Sequence, residues 1–264
     1  MKKIYTLLNI LLVTIGLAQN DSPYNTDWLT DGSIIVGTAG VNALGLSLIK
    51  NKEPLSQEKL NQLNSNDIWF VDKWSAGYYD EKASSASDIP LYTSLAIPFL
   101  FALNKDTREH SGQLSVMYVE AVGIPLAVFT ISSAVIEKSR PKVYNTDLSL
   151  SERLESNNQR SFFSGHVAAA AASTFFAAQV YSDFYPDSKA KPYIWAGAAI
   201  LPAAVAYYRV KGGNHFLSDA ALGYILGATS GILVPKLHKR KLNDLKITPE
   251  IGLGYQGIGI NYTF

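Results

Sequence analysis

The 264-residue sequence has no cysteine, so a disulfide scaffold and thiolate metal ligation are both excluded. Histidine is also scarce, with only His110, His166, His215 and His238. Two of these fall inside motifs described below, which leaves little for a histidine-rich metal site. Neither sign of charge dominates: 23 Lys and Arg against 22 Asp and Glu give a net charge of +1. Nothing therefore marks a nucleic-acid partner. There is no internal repeat and no low-complexity run, and Val210-Lys211-Gly212-Gly213 lacks the Gly-Lys-Ser arrangement of a nucleotide-binding loop.

What is present is apolar sequence of helical length. Stretches at about 89–103, 113–136, 164–181, 193–208 and 217–235 approach the roughly 20 residues that span a bilayer. Pro98, Pro125 and Pro202 lie within them, as helices packed in a bundle tolerate. Glu120 lies in the second and requires a partner or water. A weaker segment, about Ser33–Ile49, is expected as a helix capped by Asp31 and outside the membrane. Residues 50–87 are polar but carry Trp69, Phe70, Trp74, Tyr78 and Tyr79, which suits a membrane interface or an amphipathic surface helix. The first 18 residues read as a signal peptide: Lys2 and Lys3, an apolar run from Ile4 to Ile15, then Gly16-Leu17-Ala18. The C-terminal residues alternate apolar and small through Ile251, Leu253 and Tyr255, then Ile258, Ile260, Tyr262 and Phe264, the period of a β-hairpin.

The resulting expectation is an all-α bundle of about six helices, membrane-embedded, with a short C-terminal β-hairpin. Its parts are a signal peptide (1–18), an N-terminal helix with an aromatic-rich polar segment (19–87), a helical catalytic domain (88–241) and the tail (242–264). Lys105 and Arg108, Lys189 and Lys191, and Lys236, Lys239, Arg240 and Lys241 follow alternate stretches. The positive-inside rule then places 137–163 and 209–216 in the periplasm, provided that 33–49 does not span. A mean hydropathy of only +0.05 keeps a soluble periplasmic bundle as the alternative.

The chemistry centres on Arg209-Val-Lys-Gly-Gly-Asn-His215-Phe-Leu-Ser-Asp219. His215 and Asp219 are four apart, on one face of a helix, where a carboxylate can fix the imidazole tautomer. Arg209 brings a permanently charged fork suited to phosphate. Ser164-Gly165-His166 opens an alanine-rich segment, offering a hydroxyl, backbone N–H groups and an imidazole at the positive end of a helix. Arg140-Pro141 supplies a second guanidinium.

These three segments, in this order, resemble the type-2 phosphatidic acid phosphatase family, which shares its site with bacterial acid phosphatases and vanadium haloperoxidases. The family pattern is Lys-x6-Arg-Pro, Pro-Ser-Gly-His and Ser-Arg-x5-His-x3-Asp. Here Phe163 stands at the proline position, Tyr208 at the serine and Ser133 at the lysine. Lys138 and Lys142 are the candidate auxiliary cations near that gap. The resemblance covers roughly residues 88–235. It implies a metal-independent phosphatase without cofactor, in which His215 becomes a phosphohistidine and Asp219 orients it. His166 serves the leaving group, while Arg140, Ser164, Gly165 and Arg209 hold the phosphoryl oxygens. The partners it implies are a membrane and a phosphorylated lipid or small phosphate ester. Two alternatives remain open: a catalytically degenerate lipid-binding or structural membrane protein, and a vanadate-dependent haloperoxidase.

Overall fold

The structure is a computed structural model describing residues 22–240 and the backbone of 245–252 and 255–262. The expected signal peptide lies outside the described residues. Six long helical segments organise the chain: α1 (Trp28–Lys50), α2 (Glu81–Leu103), α3 (Ser111–Val135), α4 (Gly165–Phe184), α5 (Lys191–Lys211) and α6 (Leu217–His238). Helix α2 is composite, running Glu81–Ala86, Asp88–Ala96 and a 3-10 stretch Ile97–Leu103. The tail is an antiparallel strand pair, β1 (Leu245–Gly252) with β2 (Tyr255–Tyr262), in which Leu245 pairs with Tyr262 and Gly252 with Tyr255.

Helix α1 starts earlier than expected. Asp27, not Asp31, is the cap: its side chain accepts the Thr30 N–H at 2.7 Å. Asp31 sits in the first turn and accepts the Asp27 N–H at 2.7 Å, so two donors of the helix start are satisfied reciprocally.

Helix α4 is the axis. It packs against α2, α3, α5 and α6, while α1 lies along α3. Its alanines Ala168, Ala170, Ala171, Ala172 and Ala178 are fully buried. The reason lies opposite them. Gly223, Gly227 and Gly231 of α6 face the carbonyls of Ser164, Ala168 and Ala172, and a Cβ at any of the three would overlap those oxygens. Small residues every fourth position on both helices let the two backbones touch, the packing favoured where lipid removes the hydrophobic drive for association.

Consecutive helices run antiparallel. One end of the bundle gathers the C-termini of α1, α3 and α5 and the N-termini of α2, α4 and α6. Lys52 fastens this end, its Nζ donating to the carbonyls of Ser133 (2.8 Å), Ile136 (2.7 Å) and Gln159 (3.0 Å) just where α3 leaves its last carbonyls free. The aromatic-rich segment forms no amphipathic helix. It is a six-residue helix, Gln57–Gln62, and two 3-10 turns, Ser65–Asp67 and Lys73–Ser75, lying over the same end, with the aromatics outside the helix.

Among the described residues, four helices are long and apolar enough to cross a membrane: Trp28–Lys50, Glu81–Leu103, Ser111–Val135 and Leu217–His238. This set corrects the five-stretch expectation. Helix α1 belongs to it, with Val36 and Leu44 more than half exposed on its surface. Helices α4 and α5 do not. Helix α4 is rich in alanine rather than large apolar residues, and α5 carries Lys191, Arg209 and Lys211.

Gly227→Val should lower stability by about 1–3 kcal/mol by forcing α6 off α4. Gly197→Ala, at an α5 glycine with nothing within 4 Å of an added Cβ, should leave stability unchanged or slightly higher. Thermal unfolding of both proteins in detergent checks the pair.

Candidate active site

The end of the bundle where α3, α4, α5 and α6 meet holds the motif residues. Arg140 follows the end of α3, Ser164 and Gly165 open α4, and Arg209 lies in the last turn of α5. His215 and Asp219 flank the start of α6. Two backbone links register these pieces. Ser164 N–H donates to the Asp219 carbonyl at 3.1 Å, and Arg140 N–H to the Asn158 carbonyl at 2.8 Å. Gly165 is required by packing, since a Cβ there would sit 2.9 Å from the Phe129 ring. Gly213 has φ +69° and passes so close to the Tyr78 carbonyl that any side chain would overlap it.

His215 is 2% exposed. Its Nδ1 lies 2.7 Å from the Ser161 carbonyl. A carbonyl only accepts, so Nδ1 carries the proton and Nε2 keeps its lone pair. The orienting group thus differs from the one the i, i+4 spacing suggests. The Asp219 carboxylate is spent elsewhere: Oδ2 accepts Ser161 Oγ–H at 2.6 Å and the Phe216 N–H at 3.1 Å, and Oδ1 accepts from Lys138 Nζ at 2.8 Å. Asp219 therefore reaches His215 through Ser161, whose hydroxyl it holds and whose carbonyl holds the imidazole.

Three buried polar atoms here have no hydrogen-bond partner: Ser164 Oγ, Arg140 Nε and Arg209 Nε. Orphaned donors at one locus mark the place of an absent acceptor. The electrostatics agree. Burial pulls Arg140 down to about 9, with Arg209 and Arg160 repelling it further. Burial pulls Arg209 down to about 10, against the opposing pull of Asp88. His166 is lowered to about 4 by burial and then by Arg209. His215 lies well below the ordinary histidine range, again through burial first and then Arg209 and Arg140. Both imidazoles are thus neutral at pH 7 beside two guanidiniums, a cluster that an anion would stabilise.

Both auxiliary cations are engaged by carboxylates. Lys142 Nζ pairs with Glu155 at 2.9 Å, while its backbone N–H holds the Gly213 carbonyl at 3.2 Å. Lys138 lies beyond the end of α3, so no helix directs it. It reaches Asp219 at 2.8 Å and Asp72 at 3.2 Å. Ser133 is fully buried, with its hydroxyl directed to the Phe162 carbonyl at 3.4 Å.

Sequence reasoning missed several contributors. Ser161 orients His215. Asn214 links Arg140 Nη1 (3.3 Å) to Ser84 Oγ (2.8 Å). Asp72 accepts the Ser218 N–H at 2.9 Å and so ties the aromatic-rich segment to the start of α6. Asn214 stands within the Arg209–Asp219 segment and Ser161 three residues before Ser164; Ser84 and Asp72 come from distant, unremarkable polar sequence. Beside the site a groove of about 680 Å³ runs between α5 and α6, lined by Trp74, Tyr78, Tyr207, Lys211, Leu217 and Tyr224 among others. Its upper residues Val210, Lys211 and Leu217 are chain neighbours of Arg209 and His215.

Residues 114–243 match the PAP2 superfamily. Comparison with curated proteins and with solved structures returned no match. The matched span contains Arg140, Ser164, Gly165, His166, Arg209, His215 and Asp219, and over it the chain is similar to the PAP2 superfamily, which supports a phosphatase-type activity.

Proposed function

We propose that the protein is a metal-independent lipid phosphate phosphatase working through a phosphohistidine on His215. The observation that carries this reading is the fixed tautomer of His215 beside three orphaned phosphate-type donors. Nε2 attacks phosphorus while Arg140, Arg209, Ser164 Oγ and the Gly165 N–H take up charge on the phosphoryl oxygens. The phosphorus–ester oxygen bond breaks and the leaving oxygen takes a proton from His166. Water then gives a proton to His166 and attacks phosphorus. The phosphorus–nitrogen bond breaks, releasing inorganic phosphate and restoring His215.

The substrate class follows from the surroundings. The groove beside Arg209 and His215 is almost wholly apolar. Trp69, Phe70 and Trp74, each more than half exposed, rim the same end of the bundle. An acyl or prenyl chain fits the groove with its phosphate at the arginines, as a phosphomonoester or a diphosphate. Helices α1, α2, α3 and α6 cross the membrane in this reading. The connectors opposite the site carry Lys105, Arg108, Lys189 and Lys191, and α6 ends in Lys236, Lys239 and Arg240. That end faces the cytoplasm and the site the periplasm. That orientation has α1 crossing outward with residues 1–18 retained; a second reading has residues 1–18 removed on export and α1 crossing inward, which puts the site in the cytoplasm.

Purified protein in detergent with EDTA should release phosphate from a lipid phosphate faster than from p-nitrophenyl phosphate. His215→Ala should reduce both rates at least about 10,000-fold; undiminished activity in that variant would remove the assignment.

The pH profile has a definite sign. His166 is neutral above about pH 4 in the free protein. The productive complex needs its proton, which the phosphate monoanion can bring. Its population falls as pH rises through the second phosphate pKa of about 6. kcat/KM should therefore fall about tenfold per pH unit above about pH 6. A flat profile through pH 8 would exclude His166 as the acid.

The lack of native cysteine makes orientation directly testable. In intact cells an impermeant thiol reagent should label Ser151→Cys, at the site end, but not Asp187→Cys at the other. The reverse pattern would establish the cytoplasmic reading.

A further inference from the structure

Towards the end of the bundle away from the active site, α1, α3 and α6 bring together Asp31, Glu120 and His238. His238 Nε2 lies 3.2 Å from Asp31 Oδ1 and 3.4 Å from Glu120 Oε2. One ligand-type atom from each residue falls within 4.8 Å of the other two. Asp31 is 4% exposed and Glu120 1%. Glu120 Oε1 is buried without a hydrogen-bond partner, while its other oxygen already faces the cluster.

The histidine is pre-set. Its Nδ1 lies 2.8 Å from the Val234 carbonyl, which can only accept. Nδ1 therefore carries a proton, and Nε2 turns towards two carboxylates. With Nε2 unprotonated, its lone pair would meet only carboxylate oxygens, an arrangement that requires a cation. Asp31 Oδ2 accepts the Asp27 N–H at 2.7 Å, which fixes the orientation of that carboxylate. Outer hydrogen bonds of this kind, on both the histidine and the carboxylate, are those that orient metal ligands.

We propose that Asp31, Glu120 and His238 form a binding site for a divalent transition-metal ion, zinc being the ion whose ligand preferences it meets best. Bonds of about 2.0–2.1 Å in a tetrahedron set ligand atoms about 3.3 Å apart. The observed 3.2 and 3.4 Å bracket that edge. A water would take the fourth position, as in zinc sites with three protein ligands. Two carboxylates and one neutral imidazole exactly offset a double positive charge in sum, so the loaded cluster is neutral within an apolar bundle. Calcium prefers six to eight oxygens and magnesium a hydrated octahedron, and neither favours imidazole. The site is structural: it ties α1, which otherwise lies along α3, to the end of α6. It shares no residue with the phosphatase site, so it is independent of the reading given above.

The test uses the untagged full chain, purified in detergent, stripped with a chelator and equilibrated with zinc. Elemental analysis should find one zinc per chain, retained in His215→Ala. Glu120→Gln and His238→Ala should each weaken binding more than about 100-fold, beyond the 10–100-fold cost of losing an outer hydrogen bond. Cobalt in place of zinc should give the visible absorption of a four-coordinate ion in the wild type and not in Glu120→Gln. Zinc should raise the unfolding temperature of the wild type and leave Glu120→Gln unmoved. Glu120→Gln keeps the side-chain shape and removes a buried charge, so it carries the test if His238→Ala does not fold. No stoichiometric uptake by the wild type, or equal uptake by Glu120→Gln, overturns the proposal. So does a stability that varies with pH but not with zinc, which would mean that a proton alone occupies the cluster.

Discussion

The backbone contact between α4 and α6 is the constraint on which the rest of the structure depends. Gly223, Gly227 and Gly231 lie against the carbonyls of Ser164, Ala168 and Ala172, and no side chain fits between. That contact fixes the two helices in register, and the Ser164 N–H then meets the Asp219 carbonyl. The hydroxyl of Ser164 and the first turn of α6 are therefore set by packing that begins well below them. Ala168 to Ala172 are small because the glycines opposite them bring the helix so near. Each side of the contact makes the other necessary.

On that frame the site concentrates positive charge with little to balance it. Arg140 and Arg209 repel one another across two imidazoles that burial keeps neutral. Asp219, the carboxylate closest in sequence to His215, does not neutralise the cluster directly; Lys138 and Ser161 engage it. Its influence passes through the Ser161 carbonyl, which fixes the His215 proton on Nδ1 and leaves Nε2 free. An anion placed between the two guanidiniums would relieve that repulsion. The place of the family lysine holds a buried serine, and the nearby Lys138 serves the orienting network instead.

Several polar groups inside the bundle tie its helices together. Lys52 closes the end of α3 through three carbonyls. Tyr118 bonds the Leu95 carbonyl and Ser173, and Thr174 bonds Ala198 across to α5. Away from the active site, Glu120 has one oxygen at His238 and the other without a partner. In a bundle whose outer faces carry Val36, Phe99 and Ile225 towards an apolar surrounding, such a carboxylate needs a counter-charge.

Local chemistry made much of this legible in the sequence. Helical-length apolar stretches and the absence of cysteine gave the class of fold. Arg140, Ser164-Gly165-His166 and Arg209 with His215 could be singled out because their residue types and spacing carry meaning without a fold. The expected start of α1 at Ser33 was wrong because Asp27 and Asp31 are equally good caps in isolation, and only the path of the chain chooses between them. Excluding α1 from the apolar spans was wrong for a related reason: its glycines and Asn42 dilute the sequence signal, while the folded helix still turns Val36 and Leu44 outwards. The i, i+4 spacing put His215 and Asp219 on one helix face, but α6 begins at Leu217, so His215 precedes it and is joined to Asp219 through Ser161. Asp72, Ser84 and the joining of Asp31 with Glu120 and His238 were invisible for a deeper reason. Each is an ordinary polar residue in its own segment, and it acquires a role only when helices distant in sequence are packed side by side. The sequence by itself determined which groups could do chemistry; the tertiary structure decided which of them meet, because contact across the bundle is set by the α4–α6 approach and not by spacing along the chain.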